Sequence, residues 1–382
     1  MKSAEVASEL GWPASKQTRL EQAESANLDP RHLSVLAKLL DFPERFFVKP
    51  PPSPLSAEDL LFRAPAATPK REKSYLAEFA RVTGEVLDWL DDYHRLPPVK
   101  VPTLAAETPV REAASAVRSS LSLSDDQPID HLIHRAERAG VPIIMRGVPS
   151  RLALHRDGEE STDVSTERHL GYSARVGAHG ERPVTILRAN SSWERIRWTV
   201  AHELGHLALH GGKLPIDSEE QANLFASELL APASVVRQEL PVHVTLASLT
   251  PMKLRWGISL GALTIHLRRN GLITEERFET LRRQLYTRMN PTTGRTWGRD
   301  EPGWNEKEVE RPGLLNAWLE RCVGFTSPNA VSQISGIWPT DLLASMISGQ
   351  REKAPPSNVR PIIRKQAGGQ VVSLESWRLR QA

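Results

Sequence analysis

A single cysteine, Cys322, stands in a chain of 382 residues. With no second thiol there is no intrachain disulfide framework and no cysteine-ligated zinc ribbon. A small buried hydrophobe in a reducing cytosol is the expected role of Cys322. No segment reaches the roughly 18 consecutive apolar residues of a membrane span. The opening MKSAEVASELGW lacks the apolar stretch of a secretory signal. A cytoplasmic protein with no membrane contact is therefore expected. Charge of one sign is scarce as well, since 49 Lys and Arg against 46 Asp and Glu leave a formal +3. That makes no global case for nucleic acid, whose basic footprints are local. Apolar residues at 40% and charged residues at 25% suit a soluble globular chain, and the length allows two or three domains. No internal repeat is present.

What is there divides into four stretches. Residues 1–50 read as short helices, SAEVASEL, PASKQTRLEQ and DPRHLSVLAKLL, separated by turn residues. A proline-bearing linker follows over 51–72. A third region, 73–290, opens on KSYLAEFARVTGEVLDWLDDYHRL, with Leu76, Phe79, Val82, Val86, Leu87 and Leu90 at helical spacing. Within it VPIIMRG is a short apolar strand, and HLGYSARV and RPVTILRAN flank GAHGE as an antiparallel pair. Helices over about 191–210 and 218–230 and a helical tract to about 286 complete it. Residues 291–382 form a C-terminal extension, partly irregular and rich in Pro, Trp and Arg. Its tryptophans are expected to be packing residues, and its basic end, RPIIRKQ to SWRLRQA, a solvated tail.

The chemistry sits in RIRWTVAHELGHLALHGG, residues 195–212. Ser191 and Glu194 fit a capping box, and Gly211-Gly212 a C-terminal stop. On a helix, positions i and i+4 share a face about 6 Å apart. His202 and His206 can then each give a ring nitrogen to one zinc ion at about 2.0–2.1 Å. Glu203, one step around, addresses water beside the metal as a general base. An amphipathic helix with incidental histidines is the competing reading, so a third ligand decides. His210 lies eight residues past His202, about 12 Å along the same helix and too far for one ion. A surface or core-edge position suits it better.

The third ligand is expected from DSEEQANLFASELLAP. Glu219 shares a face with Ala222, Ala226 and Leu230, a small apolar stripe suited to press on the first helix. Glu220 shares one with Asn223, Ser227 and Glu228, which reads as solvated. A carboxylate heading an apolar stripe is costly unless compensated, and a metal ion compensates it. Glu219 is preferred, with Glu220 the alternative. Two histidines, a glutamate and an open position make a catalytic rather than a structural zinc site.

RIRWTVAHELGHLALHG, EEQANLFASELLAP and LRWGISLGALTIHLRRNGLI together resemble the ImmA/IrrE family of zinc metallo-endopeptidases, over roughly residues 105–290. The resemblance implies an α+β fold, a mainly helical zincin-like (gluzincin-type) domain with a small antiparallel sheet. It also implies an intracellular endopeptidase that cleaves a helix-turn-helix repressor during a stress or mobile-element response. Its ligands fall on His202, His206 and Glu219, with Glu203 as base. Gln221 stands where a second glutamate is common. For the developing oxyanion, Tyr172 is the candidate donor and His169 the alternative, and the strand pair offers an edge to an extended substrate.

ASELGWPASKQTRLEQAESANLDPRHLSVLAKLLDFPERFF resembles a helix-turn-helix of the xenobiotic-response-element type, with Ala7 and Gly11 at the small residue and turn and Ser15–Arg19 on the recognition helix. The motif's usual first helix has too few residues ahead of it, so a truncated domain is expected. DNA contact through residues 1–50 remains open beside a purely packing role. The alternative function is accordingly a DNA-binding transcriptional regulator that uses the peptidase fold as a sensor or interaction domain.

Overall fold

The computed structural model of the protein describes residues 3–23, 26–49, 55–56, 59–61, 70–105, 107–147, 171–177, 180–188, 192–211, 215–303, 306–347 and 349. Three strands, β1 (Ile143–Arg146), β2 (Gly171–Val176) and β3 (Arg182–Arg188), form a sheet in the order β1-β3-β2. β2 runs antiparallel to β3, with Ser173 opposite Thr185, as the pattern around GAHGE predicts. β1, however, pairs parallel with β3, so the sheet is mixed rather than antiparallel. A parallel pair needs a long crossover, and the 35 residues from 147 to 181 that separate β1 from β3 supply one.

Alternation along the strands buries both faces of the sheet. Ile144, Tyr172, Ala174, Val184 and Ile186 pack toward α5 (Lys70–Tyr93), whose Leu76, Phe79, Val82, Val86, Leu87 and Leu90 are all buried at the expected spacing. Ile143, Met145 and Leu187 belong to a second cluster with Ile196, Val200 and Leu204 of α8 (Trp193–Leu209). α6 (Val110–Ser120) and α7 (Leu132–Arg138) back that cluster. The sheet is therefore a partition, with α5 on one side and α8 on the other.

Against α8 lies α9 (Ser218–Leu230). Gly205 makes the close approach possible, because a Cβ there would stand 2.9 Å from Phe225 Cδ1. Beyond α9 come α10 (Ala233–Glu239), α11 (Leu246–Trp256), α12 (Leu260–Arg269) and α13 (Glu275–Thr287), with their own cluster around Trp256, Leu263 and Leu281. Lys253 is buried there between Glu194 (2.7 Å) and Glu301 (2.9 Å).

The two ends of the chain are helical as well. α1 (Ser3–Glu9) and α2 (Ala14–Gln22) are joined at Gly11, whose φ of 64° favours glycine. With α3 (Pro30–Leu40) and α4 (Glu44–Phe47) they enclose a small cluster of Val6, Leu10, Trp12 and Leu36. Residues 314–347 hold three helices, α14 (Leu314–Val323), α15 (Pro328–Ser335) and α16 (Thr340–Ile347). Leu315, Leu319, Cys322, Val331 and Trp338 from them join the α5 cluster, so this part of the extension completes the main core. Cys322 is buried, as expected, and burial pushes its thiol up to about 11. Among the described residues no helix is long and apolar enough to cross a membrane. The basic C-terminal stretch after 350 lies outside the described residues.

Candidate metal centre

α8 begins where Ser192 accepts the Arg195 backbone N–H at 3.3 Å and donates its hydroxyl to Glu194 at 2.8 Å. The cap thus falls one residue after the expected Ser191, which lies outside the described residues. From this start the helix carries His202 and His206 on its α9 side and Glu203 toward β2. Ring Nε2 of His202 lies 3.1 Å from Nε2 of His206. Glu219, at the head of α9, brings Oε2 within 3.5 Å of the first and Oε1 within 3.3 Å of the second.

Those three separations identify the geometry. Ligands at about 2.0–2.1 Å around a tetrahedral ion are roughly 3.3–3.4 Å from one another. Among the described residues this is the one group of three metal-ligating side chains whose donor atoms converge, all within 4.8 Å. His206 is fully buried and His202 nearly so, whereas the Glu219 side chain is 37% exposed. The ligand set is thus open to solvent on one side, as a catalytic rather than structural site requires.

The opposite ring nitrogens fix the tautomers. Asn223, one turn past Glu219, accepts from His202 Nδ1 at 3.1 Å. Nδ1 of His206 meets Nδ1 of His210 at 2.9 Å, and His210 Nε2 lies 3.0 Å from Gln221 Oε1. The amide oxygen only accepts, so His210 carries its proton on Nε2 and presents a lone pair at Nδ1. His206 Nδ1 must then donate. Both candidate ligands consequently turn unprotonated Nε2 toward the same point. Gln221 is itself held by Asp217, to which its Nε2 donates at 2.8 Å.

Glu203 is buried beside this point, and Ser173 donates to its Oε2 at 2.7 Å. Burial, partly offset by His202 and the Ser173 hydrogen bond, pushes its carboxyl up to about 7. Glu219 goes the other way: burial raises it, but the two imidazoles that face its carboxylate outweigh that and hold it well below the usual carboxylate range. Two carboxylates in one site therefore have opposite tendencies, one poised to exchange a proton and one to stay charged.

Other expected residues stand elsewhere. Tyr172 alternates with Ser173 and so points to the far side of the sheet, where its hydroxyl donates to the Leu76 carbonyl at 2.9 Å. It is not brought to the oxyanion position. His169 lies outside the described residues. Glu220 turns away and pairs with Arg269 at 3.0 Å. Asn223, read as solvated, instead turns to His202, Ser227 is buried with its hydroxyl on the Asn223 carbonyl, and Glu228 is buried with its carboxylate on the Ala233 N–H. His210, expected at a surface or core edge, is buried behind His206. The free edge of β2 is already met at Ser173 by an antiparallel bridge from Leu61, whose N–H donates to the Ser173 carbonyl at 2.7 Å.

Ser173, Asn223 and His210 are the functional positions that sequence reasoning missed. The period of two on β2 and the spacing of four from Glu219 and from His206 were the signals available.

Residues 155–268, which span both α8 and α9, match the family model Peptidase_M78, the IrrE N-terminal-like domain. No curated protein matches the chain. The match supports the resemblance to the ImmA/IrrE peptidases for this stretch and a hydrolase acting on peptide bonds.

Proposed function

We propose that the protein is a zinc-dependent endopeptidase, with His202, His206 and Glu219 as ligands and Glu203 as the general base. The observation that carries this reading is the convergence of two Nε2 atoms and one carboxylate at tetrahedral separations, with a proton-exchanging carboxylate alongside. A zinc ion held there supplies Lewis acidity to water and to the scissile carbonyl. Glu203 takes the water proton and later delivers it to the leaving amine, a cycle suited to a carboxyl near neutrality. Ser173 holds that carboxylate in place, and Asn223 and the His210–Gln221–Asp217 chain keep both imidazoles in the ligating tautomer. The family match, together with the paired helices α8 and α9, supports a zincin-like fold of the gluzincin type.

The substrate that the resemblance favours is a helix-turn-helix transcriptional repressor, cut at a specific site in a cytoplasmic stress or mobile-element response. The second reading, a DNA-binding regulator, draws on Lys16 and Arg19, which α2 exposes to solvent. It ranks second because the acids and bases of residues 1–50 balance, which is weak for phosphate contact. The deciding experiment loads the protein with zinc and incubates it with the repressor encoded nearest its gene. Wild type is expected to release two fragments by mass spectrometry and Glu203→Gln none. Cleavage that survives Glu203→Gln sinks the mechanism, and operator binding with no zinc uptake favours the regulator.

A further inference from the structure

We propose that Leu61 blocks the edge of β2 that an extended substrate must use, so that hydrolysis requires residues 59–61 to leave it. Those residues belong to the segment between the N-terminal helices and α5. The block presupposes the peptidase reading above and adds how that site is regulated.

β2 has two edges. β3 fills one along six residue pairs, and Leu61 meets the other in an antiparallel bridge. The Leu61 N–H donates to the Ser173 carbonyl at 2.7 Å, while the Ser173 hydroxyl donates to Glu203, also at 2.7 Å. One residue of β2 thus meets the linker with its backbone and the proposed general base with its side chain. Neighbouring strands run about 4.8 Å apart, so the Leu61 backbone lies one strand spacing from the residue that steadies Glu203. A peptide that adds to this edge beside Glu203 needs the same Ser173 carbonyl. Leu61 and such a peptide therefore exclude one another.

Leu60 and Leu61 turn to opposite sides, as consecutive strand residues do. Leu60, 1% exposed, joins the α5 cluster, and Leu61, 6% exposed, joins the α8 cluster on the Glu203 side of the sheet. Upstream, Lys49 pairs with Glu85 of α5, and Leu55 packs against the α5 cluster. Asp59 accepts the Ser56 N–H and hydroxyl at 2.7 Å each. The segment is anchored on the α5 side, and Leu61 is the residue that it sends to the catalytic side. Among the described residues a single backbone hydrogen bond ties it to β2. A competing strand can displace such a contact, unlike the ladder between β2 and β3.

The test uses two probes on the zinc-loaded full chain, with binding measured by calorimetry. Acetohydroxamate needs the metal alone, whereas acetyl-trialanine hydroxamate also pairs with the edge. A site closed in roughly nine molecules of ten loses about tenfold in apparent affinity. Leu61→Pro, which removes the N–H donor, should therefore tighten the trialanine compound by about tenfold or more. Acetohydroxamate affinity and zinc content should stay as in wild type. Leu60→Asp, which loosens the anchor on the far side of the sheet, should do the same and stands in if Leu61→Pro fails to fold. In wild type, exchange of the Leu61 amide hydrogen should quicken when the trialanine compound binds and not when acetohydroxamate does. Unchanged trialanine affinity in the folded variants, or a Leu61 amide that stays protected beneath the bound peptide, overturns the block. So does a zinc-loaded chain that cuts itself after Leu61, because the segment is then a substrate. Failure of both probes to bind wild type and variants alike overturns the peptidase reading instead.

Discussion

Helix α8 buries two sets of charged or ionisable groups about a turn apart, and they are built to opposite ends. At Arg197 each of the three guanidinium nitrogens finds an acceptor within the protein. Nη1 pairs with Glu310, Nη2 donates to the Ile129 carbonyl at 2.9 Å, and Nε to the Gly257 carbonyl at 3.3 Å. At His202 and His206 only the Nδ1 side is answered by a neighbour that fixes its proton, and the Nε2 lone pairs converge on Glu219. Burial and charge are common to the two sets, so neither distinguishes structure from function. What distinguishes them is whether acceptors face donors or face one another, because converging acceptors need a cation.

The comparison breaks most visibly at Glu203. Glu203→Gln should lower peptide hydrolysis by at least about 100-fold, with zinc content and melting temperature close to wild type, read by metal analysis and calorimetry. Loss of fold in that variant would mean that the carboxylate belongs with the structural set. Arg197→Met should do the reverse. It leaves Glu310 buried without its cation, at a cost of about 3–5 kcal/mol, while the protein that remains folded binds zinc normally. Denaturant midpoints and zinc titrations on the same samples separate the two effects, and a stability within 1 kcal/mol of wild type, roughly, would remove Arg197 from the structural set.

Those two sets were unequally legible in the sequence. The ligating pair and its base were visible because helical spacing alone decides who shares a face. Glu219 was visible because Ala222 and Ala226 mark the side of α9 that presses on α8. Asn223 was misplaced among solvated residues, since the same wheel that groups it with Glu220 also sets it four residues from Glu219, and only contact with α8 decides. Tyr172 attracted a catalytic role by its hydroxyl, although Ser173, on the other face of the strand, was the residue aimed at Glu203. Arg197 gave no signal because Glu310 is 113 positions away. The parallel pairing of β1 and the helices of 314–347 were hidden for related reasons. Register across a crossover leaves no local mark, and prolines and glycines between short helices dilute apolar spacing such as that of LLNAWLERCV.

His210 sharpens the comparison from between the two sets, being buried like the structural groups yet spent on orienting a ligand. Replacing it with Phe keeps bulk but removes the acceptor that holds the His206 Nδ1 proton. Zinc affinity should fall by about 10–100-fold, measured by competition with a chelator of known affinity. An unchanged affinity would reduce the relay through Gln221 to packing.

The smallest expected effect lies wholly in the structural set and concerns Glu137 of α7. Its buried carboxylate caps α14 by accepting the N–H groups of Gly313 (3.1 Å) and Leu314 (3.0 Å). Burial pushes this carboxyl from 4.5 up to about 8, although the two N–H donors pull it down. The folded protein therefore holds a proton that the unfolded chain releases above about pH 4.5. Stability from this group is fully present below that pH and declines as pH rises toward about 8. Between pH 7 and 8 the loss is about 1 kcal/mol, or roughly 2–4 °C in melting temperature for a domain of 150–250 residues. Glu137→Gln keeps an acceptor for both N–H groups but cannot ionise, so its melting temperature should fall less over the same interval. Parallel slopes for the two proteins would show that the carboxyl stays ionised and that the cap, not its protonation, is what α7 contributes. Arg197 differs in its partners, since its guanidinium faces the Glu310 carboxylate whereas Glu137 faces only neutral N–H groups. The pH dependence thus separates a buried acid held by neutral donors from a buried ion pair.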